Sequence, residues 1–288
     1  MKFEDMINTI QLGDCYELIK NIPDKSIDLV YTDIPYLYEM GGAGQSELSK
    51  RKHINKLDLQ GAETKYLKEK DVSVKELYRI EKNMINSFND YKNITTGIDY
   101  AIFDELCRVM KSINIYIWCS KLQILDIMKY FVEEKQCTFE ILCWCKSNPI
   151  PTANGTYLSD IEYCLFFKGK GSPKLNDGYE LKSKWYLSPI NQSDKALFNH
   201  PTIKPLDLVK RHILHSTQPN DIVLDTFVGS GTTCVAARET GRRYIGMEID
   251  PKYYKIAVNR LNGITASGQM SLVFDENGGK INGTNNNI

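Results

Sequence analysis

Two short runs carry side chains that could act on one substrate together. The first is Thr32-Asp33-Ile34-Pro35-Tyr36, at the end of the apolar run Ser26 to Asp33. It sets a carboxylate, backbone carbonyls and an aromatic ring side by side, and its proline removes a donor and fixes φ. That set suits an exocyclic amino group on a nucleobase. Such a nitrogen is a poor nucleophile because its lone pair is delocalised into the ring. Two acceptors holding its two hydrogens draw it toward tetrahedral geometry and turn the lone pair toward an electrophile. Asp33 and the Ile34 carbonyl could be those acceptors, and Tyr36 could stack on the base. A base inside a duplex must be flipped out to reach such a pocket. Alone, these letters also fit a strand that ends in a proline turn.

The second run is Asp225-Thr226-Phe227-Val228-Gly229-Ser230-Gly231-Thr232-Thr233, between the short apolar run Ile222 to Asp225 and a helical stretch. Strand, glycine turn and helix N-terminus together make an anion site, because glycine lets backbone N–H groups approach a ligand. Glu248 follows Asp225 by 23 residues, at the end of the next apolar run. An acid at that spacing can take both hydroxyls of a ribose. The turn therefore fits a nucleoside cofactor without saying which. A dinucleotide fingerprint would need glycine where Cys234 stands, and a P-loop would need a lysine after Gly231.

Both runs need strands behind them. Apolar β-rich runs predict strands at Ser26 to Asp33, Ile113 to Cys119, Phe139 to Lys146, Ile161 to Lys168, Ile222 to Asp225 and Arg243 to Glu248. Helical periodicity covers Lys121 to Glu134. Further helices run from Leu206 to His215, opened by Pro205, from Gly231 to Glu239, stopped by Gly241, and from Pro251 to Leu261. The alternation predicts an α/β fold with a parallel sheet. In an open sheet of that kind, ligands bind at the carboxyl ends of strands, where both runs lie. Two stretches break the alternation, the polar and charged Glu39 to Thr96 and the Gly-, Pro- and Lys-containing Gly169 to Asn199. The tail from Gly263 is rich in Gly and Asn and reads as irregular. No internal repeat is evident.

The chain has 288 residues, enough for one large α/β domain, and 36 basic against 36 acidic residues. Zero net charge lends a DNA partner no global support, so any nucleic-acid site must be a local patch. No apolar run reaches the roughly 18 residues of a membrane span, and Met1-Lys2-Phe3-Glu4-Asp5 does not open a signal peptide. The chain thus reads as cytoplasmic and not membrane-bound. Cys137, Cys143 and Cys145 cluster, but no CxxC pair or nearby histidine completes a metal set. The expectation is buried reduced thiols and no metal.

The two runs together resemble the amino-methyltransferases of DNA, with D-P-P-Y as catalytic motif and D-x-F-x-G-S-G-T as cofactor motif. Here these read Asp33-Ile34-Pro35-Tyr36 and Asp225 to Thr232. Catalytic motif first and cofactor motif last is similar to the circularly permuted β-class order. Gly13-Asp14-Cys15 matches that class's G-D-C motif, and His200-Pro201-Thr202-Ile203-Lys204-Pro205 its H-P-T-x-K-P segment. The resemblance spans residues 11–36 and 113–261. It implies a Rossmann-like methyltransferase fold, a mostly parallel sheet with helices on both faces. The implied cofactor is S-adenosylmethionine, leaving as S-adenosylhomocysteine. Asp14 with Cys15 would lie near its adenine, and Thr202, Lys204 and Pro205 near its methionine portion. Asp225, Phe227, Gly229, Ser230, Gly231, Thr232 and Glu248 complete the cofactor set. Ile34 departs from the usual proline, but its contribution would be a backbone carbonyl, which isoleucine also has. Asp rather than Ser in first place resembles N6-adenine members, with N4-cytosine the alternative. RNA or protein-glutamine methylation and a catalytically impaired DNA-binding relative are weaker readings.

The expected partner is double-stranded DNA. The resemblance also makes a homodimer an expectation, and leaves a cognate restriction endonuclease and a solitary or phage-borne role as open alternatives. On this reading residues 1–262 form the catalytic domain, 39–96 an insertion, 169–199 a short target-recognition segment and 263–288 a flexible tail. The recognition segment holds Lys170, Lys174, Lys182, Lys184 and Trp185. The insertion holds Gly41-Gly42-Ala43-Gly44 and then Ser49-Lys50-Arg51-Lys52-His53. A basic run after a flexible stretch suits phosphate contact, and equally suits a solvated loop. Lys50, Arg51, Lys52, Lys182 and Lys184 are the candidate DNA contacts.

Overall fold

A computed structural model describes residues 2–37, 97–149, 157–190, 198 and 203–265, and the backbone of 273–274 and 280–281. The chain separates into two compact units, Met1–Pro35 with Ile98–Ile288, and Tyr36–Gly97. Almost all of the second, and with it the expected insertion, lies outside the described residues.

The first unit is built on an eight-stranded sheet. Its strands are β1 (Thr9–Leu12), β2 (Leu29–Asp33), β3 (Asn114–Cys119), β4 (Thr138–Lys146), β5 (Ile161–Lys168), β6 (Trp185–Ser188), β7 (Ile222–Asp225) and β8 (Arg243–Glu248). They lie in the order β1-β8-β7-β2-β3-β5-β4-β6. Every neighbouring pair is parallel except β3 with β5 and β5 with β4, so β5 alone is reversed. The middle strands are buried on both faces, which is why β3 reads as an unbroken apolar run.

Helices cover both faces. On one side α1 (Phe3–Met6), α2 (Cys15–Leu18), α3 (Ile102–Val109) and α4 (Ile124–Met128) pack on Val30, Ile115, Ile117, Leu224 and Ile245. On the other, α5 (Leu206–Ser216), α6 (Thr232–Glu239) and α7 (Pro251–Leu261) pack on Leu29, Tyr31, Tyr116, Trp118 and Val223. The crossover after β2 leaves toward β3 by the α3 face, and that after β7 leaves toward β8 by the α6 face. Connections that diverge from two adjacent parallel strands open a crevice at their carboxyl ends. Both chemical runs follow the two strands that flank this crevice.

Several elements differ from the sequence expectation. The strand expected from Ser26, β2, begins at Leu29, because the amides of Ser26 and Ile27 bond to the Val109 carbonyl at the end of α3. The helix expected from Lys121 starts at Ile124 and passes into a π-helical turn, Lys129–Glu134. The glycine-turn helix starts at Thr232, with Gly231 as its left-handed N-cap at φ 82°. α3 was not foreseen, although Ile102, Phe103, Leu106 and Val109 form its buried stripe. The tail, expected to be irregular, holds an antiparallel pair, β9 (Val273–Phe274) with β10 (Lys280–Ile281), separated by letters that include Asn277-Gly278-Gly279. Among the described residues no helix is long and apolar enough to cross a membrane.

Candidate active site

Asp33 closes β2 and Asp225 closes β7, and these strands are hydrogen-bonded neighbours. The Thr32 hydroxyl joins the two motifs, donating to Asp225 Oδ1 at 3.1 Å and lying 3.2 Å from Thr226 Oγ1. The Ile34 side chain is buried in the core, and its N–H donates to the Trp118 carbonyl at 3.2 Å. The Pro35 carbonyl accepts from Gln123 Nε2 at 3.0 Å. Gln123 is itself buried and held, its Oε1 accepting from the Ser120 amide and hydroxyl, each at 3.0 Å. The backbone of the catalytic run is thus fixed at two points. Tyr36 is half-buried and belongs to the second unit.

Asp33 does not face the crevice as an isolated charge. Lys204 Nζ donates to Asp33 Oδ2 at 2.5 Å and lies 3.0 Å from Glu162 Oε2. Glu162 Oε1 in turn meets Lys146 Nζ at 2.7 Å. Both ammoniums lie over indole rings, Lys204 over Trp118 at 5.0 Å and Lys146 over Trp144 at 5.3 Å. Burial alone would raise the Glu162 carboxyl, but Lys204 and Lys146 outweigh it and hold it down to about 2. Burial likewise opposes charge on Lys204, yet Asp33 and Glu162 keep it above the ordinary ammonium value. The sequence resemblance set Lys204 beside the cofactor's methionine portion; the structure sets its ammonium on the Asp33 carboxylate.

The glycine turn is held from three sides. Gly229 N donates to Glu248 Oε2 at 2.7 Å, and Asp250 N to Glu248 Oε1 at 2.9 Å. The acid expected to meet a ribose is thus aimed by two amides, with burial raising its carboxyl. Asp225 is buried, accepts from Phe227 N at 3.1 Å, and is pushed by that burial up to about 7. Arg260, buried at the end of α7, donates to Thr232 Oγ1 at 2.7 Å and Ser230 Oγ at 3.2 Å, and stacks over Phe198 at 4.9 Å. Gly13 N donates to the Glu248 carbonyl at 2.9 Å, which brings the Gly13-Asp14-Cys15 run to the same strand tip. Asp14 caps α2 by accepting from Tyr16 N at 2.9 Å, and burial pushes the Cys15 thiol up to about 12.

Asp14, Cys15, Asp33, Ile34, Pro35, Lys204, Pro205 and the residues of the turn therefore gather at the carboxyl ends of β1, β8, β7 and β2. Thr202, Lys50, Arg51 and Lys52 lie outside the described residues. Lys182 is paired with Asp177, and Lys184 with Glu140 at 2.5 Å. The recognition segment is not without structure: Trp185–Ser188 forms β6 beside β4, with Trp185 exposed. Cys137 is buried as expected, but Cys143 and Cys145 are only half-buried, because they share the β4 face that pairs with the exposed Trp185 and Leu187. Sequence reasoning missed Gln123, Glu162, Lys146 and Arg260. Glu162 did leave a signal, a carboxylate inside the apolar run Ile161-Glu162-Tyr163-Cys164-Leu165-Phe166-Phe167.

The chain is similar to known DNA methylases. The N6/N4 methyltransferase family model, described as DNA methylase, matches residues 27–259. The chain is 30% identical over 284 residues to the Type II methyltransferase M.HinfI of Haemophilus influenzae, covering 90% of this chain and 70% of that protein. It is 30% identical over 265 residues to the Type II methyltransferase M2.LlaDCHI of Lactococcus lactis subsp. cremoris, covering 87% of each. Among solved structures, the M1.HpyAVI–SAM complex superposes with a TM-score of 0.54 at 25% identity, covering 88% of this chain and 98% of that one. A motif pair meeting across the β2–β7 crevice, together with a family match over most of the chain, places the protein in the N6/N4 DNA methylase family.

Proposed function

We propose that this DNA methyltransferase transfers a methyl group from S-adenosylmethionine to the N6 amino group of a flipped adenine. The observation that carries the reading is the junction of β2 and β7, where one hydroxyl, Thr32 Oγ1, links the catalytic run to the cofactor turn. The residues present fit the cofactor. Gly229, Ser230, Gly231 and Thr232 would hold it against the helix N-terminus, Glu248 would take its ribose, and Asp14 would lie by its adenine. When bound, S-adenosylmethionine supplies an activated methyl group on a sulfonium, so the reaction asks for no metal.

The chain's own residues then do the rest. Asp33 and the Ile34 carbonyl accept the two amino hydrogens and free the nitrogen lone pair, while Tyr36 stacks on the extruded base. The freed nitrogen would take the methyl group of the sulfonium, whose sulfur would leave as a neutral thioether, and would pass one proton to the Asp33 carboxylate or on to solvent. Asp in first place of the motif favours adenine over cytosine N4 on the family tendency. Lys50, Arg51 and Lys52 are read as phosphate contacts on their sequence alone.

The test is direct. The protein, incubated with PCR-amplified bacterial DNA and S-adenosylmethionine, should yield N6-methyladenine on nucleoside mass spectrometry. N4-methylcytosine as sole product would reassign the base. Asp33→Ala should lower turnover on the order of 10²- to 10³-fold, the usual cost of removing one preorganised hydrogen-bond partner; wild-type turnover would refute the assigned chemistry.

A further inference from the structure

Asp33 and the three charges behind it form a chain of alternating sign: Asp33, Lys204, Glu162, Lys146. Glu162 is its centre, because its two oxygens serve different lysines, Oε2 the one at 3.0 Å and Oε1 the other at 2.7 Å. Each member comes from a separate element. Asp33 ends β2, Lys204 precedes α5, Glu162 lies in β5 and Lys146 ends β4. Glu162 is directly opposite Trp144 in the β4–β5 ladder, and Trp118 is opposite Asp33 in the β2–β3 ladder. The charges therefore sit on the sheet face that carries the two indoles. Side-chain exposure is 9% for Lys204, 15% for Lys146 and 19% for Glu162.

Largely burying three of these four charges is a poor route to stability, since well-packed apolar side chains of similar volume do as well or better. What the chain of charges provides is direction. A flexible four-carbon lysine stem has many rotamers, and a lysine balanced by Asp33 alone would follow the carboxylate. Glu162 holds the same ammonium at a second point, and Lys146 keeps Glu162 ionised and in place. We propose that Glu162 is a positioning residue of the transfer site: through Lys204 it sets where the Asp33 carboxylate points, and hence how the target amino group is held. The inference rests on the reading of Asp33 as the residue that binds that amino group.

The test is steady-state methylation by the full-length protein with tritiated S-adenosylmethionine and PCR-amplified bacterial DNA. Glu162→Gln keeps shape and removes charge. It should lower kcat about 10- to 100-fold, the scale expected when a reacting group is misdirected, with KM for both substrates within about threefold. In a Lys204→Gln background the same change should cost little further, because Lys204 is the link from Glu162 to Asp33. Wild-type kcat in Glu162→Gln, or an equal loss in both backgrounds, overturns the proposal. If Glu162→Gln does not fold, Lys146→Gln, which frees only the far end of the chain of charges, carries the test: its kcat should fall with KM unchanged, and an unchanged kcat overturns the proposal. Asp33→Asn separates the two levels. If it is inactive while Glu162→Gln is normal, only the positioning role fails; if it is fully active, the reading of Asp33 fails first.

Discussion

Asp225 shows how one buried residue ties folding to pH. Burial raises its carboxyl from 3.8 to about 7, despite the donors Thr32 and Phe227 N. A carboxyl raised on folding binds its proton more tightly in the native state than in the unfolded chain. Its contribution to stability is fully present below about 4 and is lost as pH rises through about 7. Asp225→Asn stays neutral throughout. The melting temperature of this variant relative to wild type should therefore be higher at pH 8 than at pH 5; a difference independent of pH would show that Asp225 is ionised across the range. Ile34 makes a second case. Its side chain is buried and its N–H bonds to Trp118, so restoring the family's proline should not help this chain. Ile34→Pro removes that donor and the core packing, and should lower stability by about 1–3 kcal/mol in a denaturant titration.

At the scale of elements, the glycine turn depends on the strand beside it. A Cβ on Gly246 of β8 would meet Val228 Cγ2 at 2.7 Å and Cys234 Sγ at 2.9 Å, one atom in the turn and one in the helix that follows. Gly246→Ala should push both outward, cost about 1–3 kcal/mol of stability and weaken S-adenosylmethionine binding in calorimetry without DNA. Unchanged affinity would mean that the turn does not depend on this contact. The central strands and α5, α6 and α7 were legible in the sequence for definite reasons. Two-sided burial makes β2 and β3 continuous apolar runs, and Pro205, Gly241 and Pro251 punctuate the helices. β1 and β6 were not legible, since each is four residues long with exposed positions. The motifs marked the site's position, but not what surrounds it. Lys204 lies 171 residues from Asp33, and nothing local in Thr202-Ile203-Lys204-Pro205 reveals that its ammonium reaches the catalytic carboxylate.

For the whole molecule, 36 positive and 36 negative charges leave no net field to draw in a polyanion. DNA affinity must then come from local groups of cations that no nearby carboxylate neutralises. Lys182 and Lys184 are paired with Asp177 and Glu140, so the counterions they release on binding phosphate are offset by bonds they give up. The reading of Lys50, Arg51 and Lys52 as phosphate contacts therefore has a quantitative consequence. Each phosphate neutralised contributes about 0.9 to the slope of log affinity against log salt. Reversing all three charges should lower DNA affinity and flatten that slope by about 2.7, while leaving S-adenosylmethionine binding intact. Reversing Lys182 and Lys184 should flatten it less per charge, because each ammonium is already balanced by its own carboxylate and exchanges fewer counterions on meeting a phosphate. Fluorescence anisotropy across a salt series measures both slopes on one duplex. An unchanged slope in the triple variant would remove the 50–52 run from the DNA contacts and shift the search to the exposed Trp185 edge of the sheet.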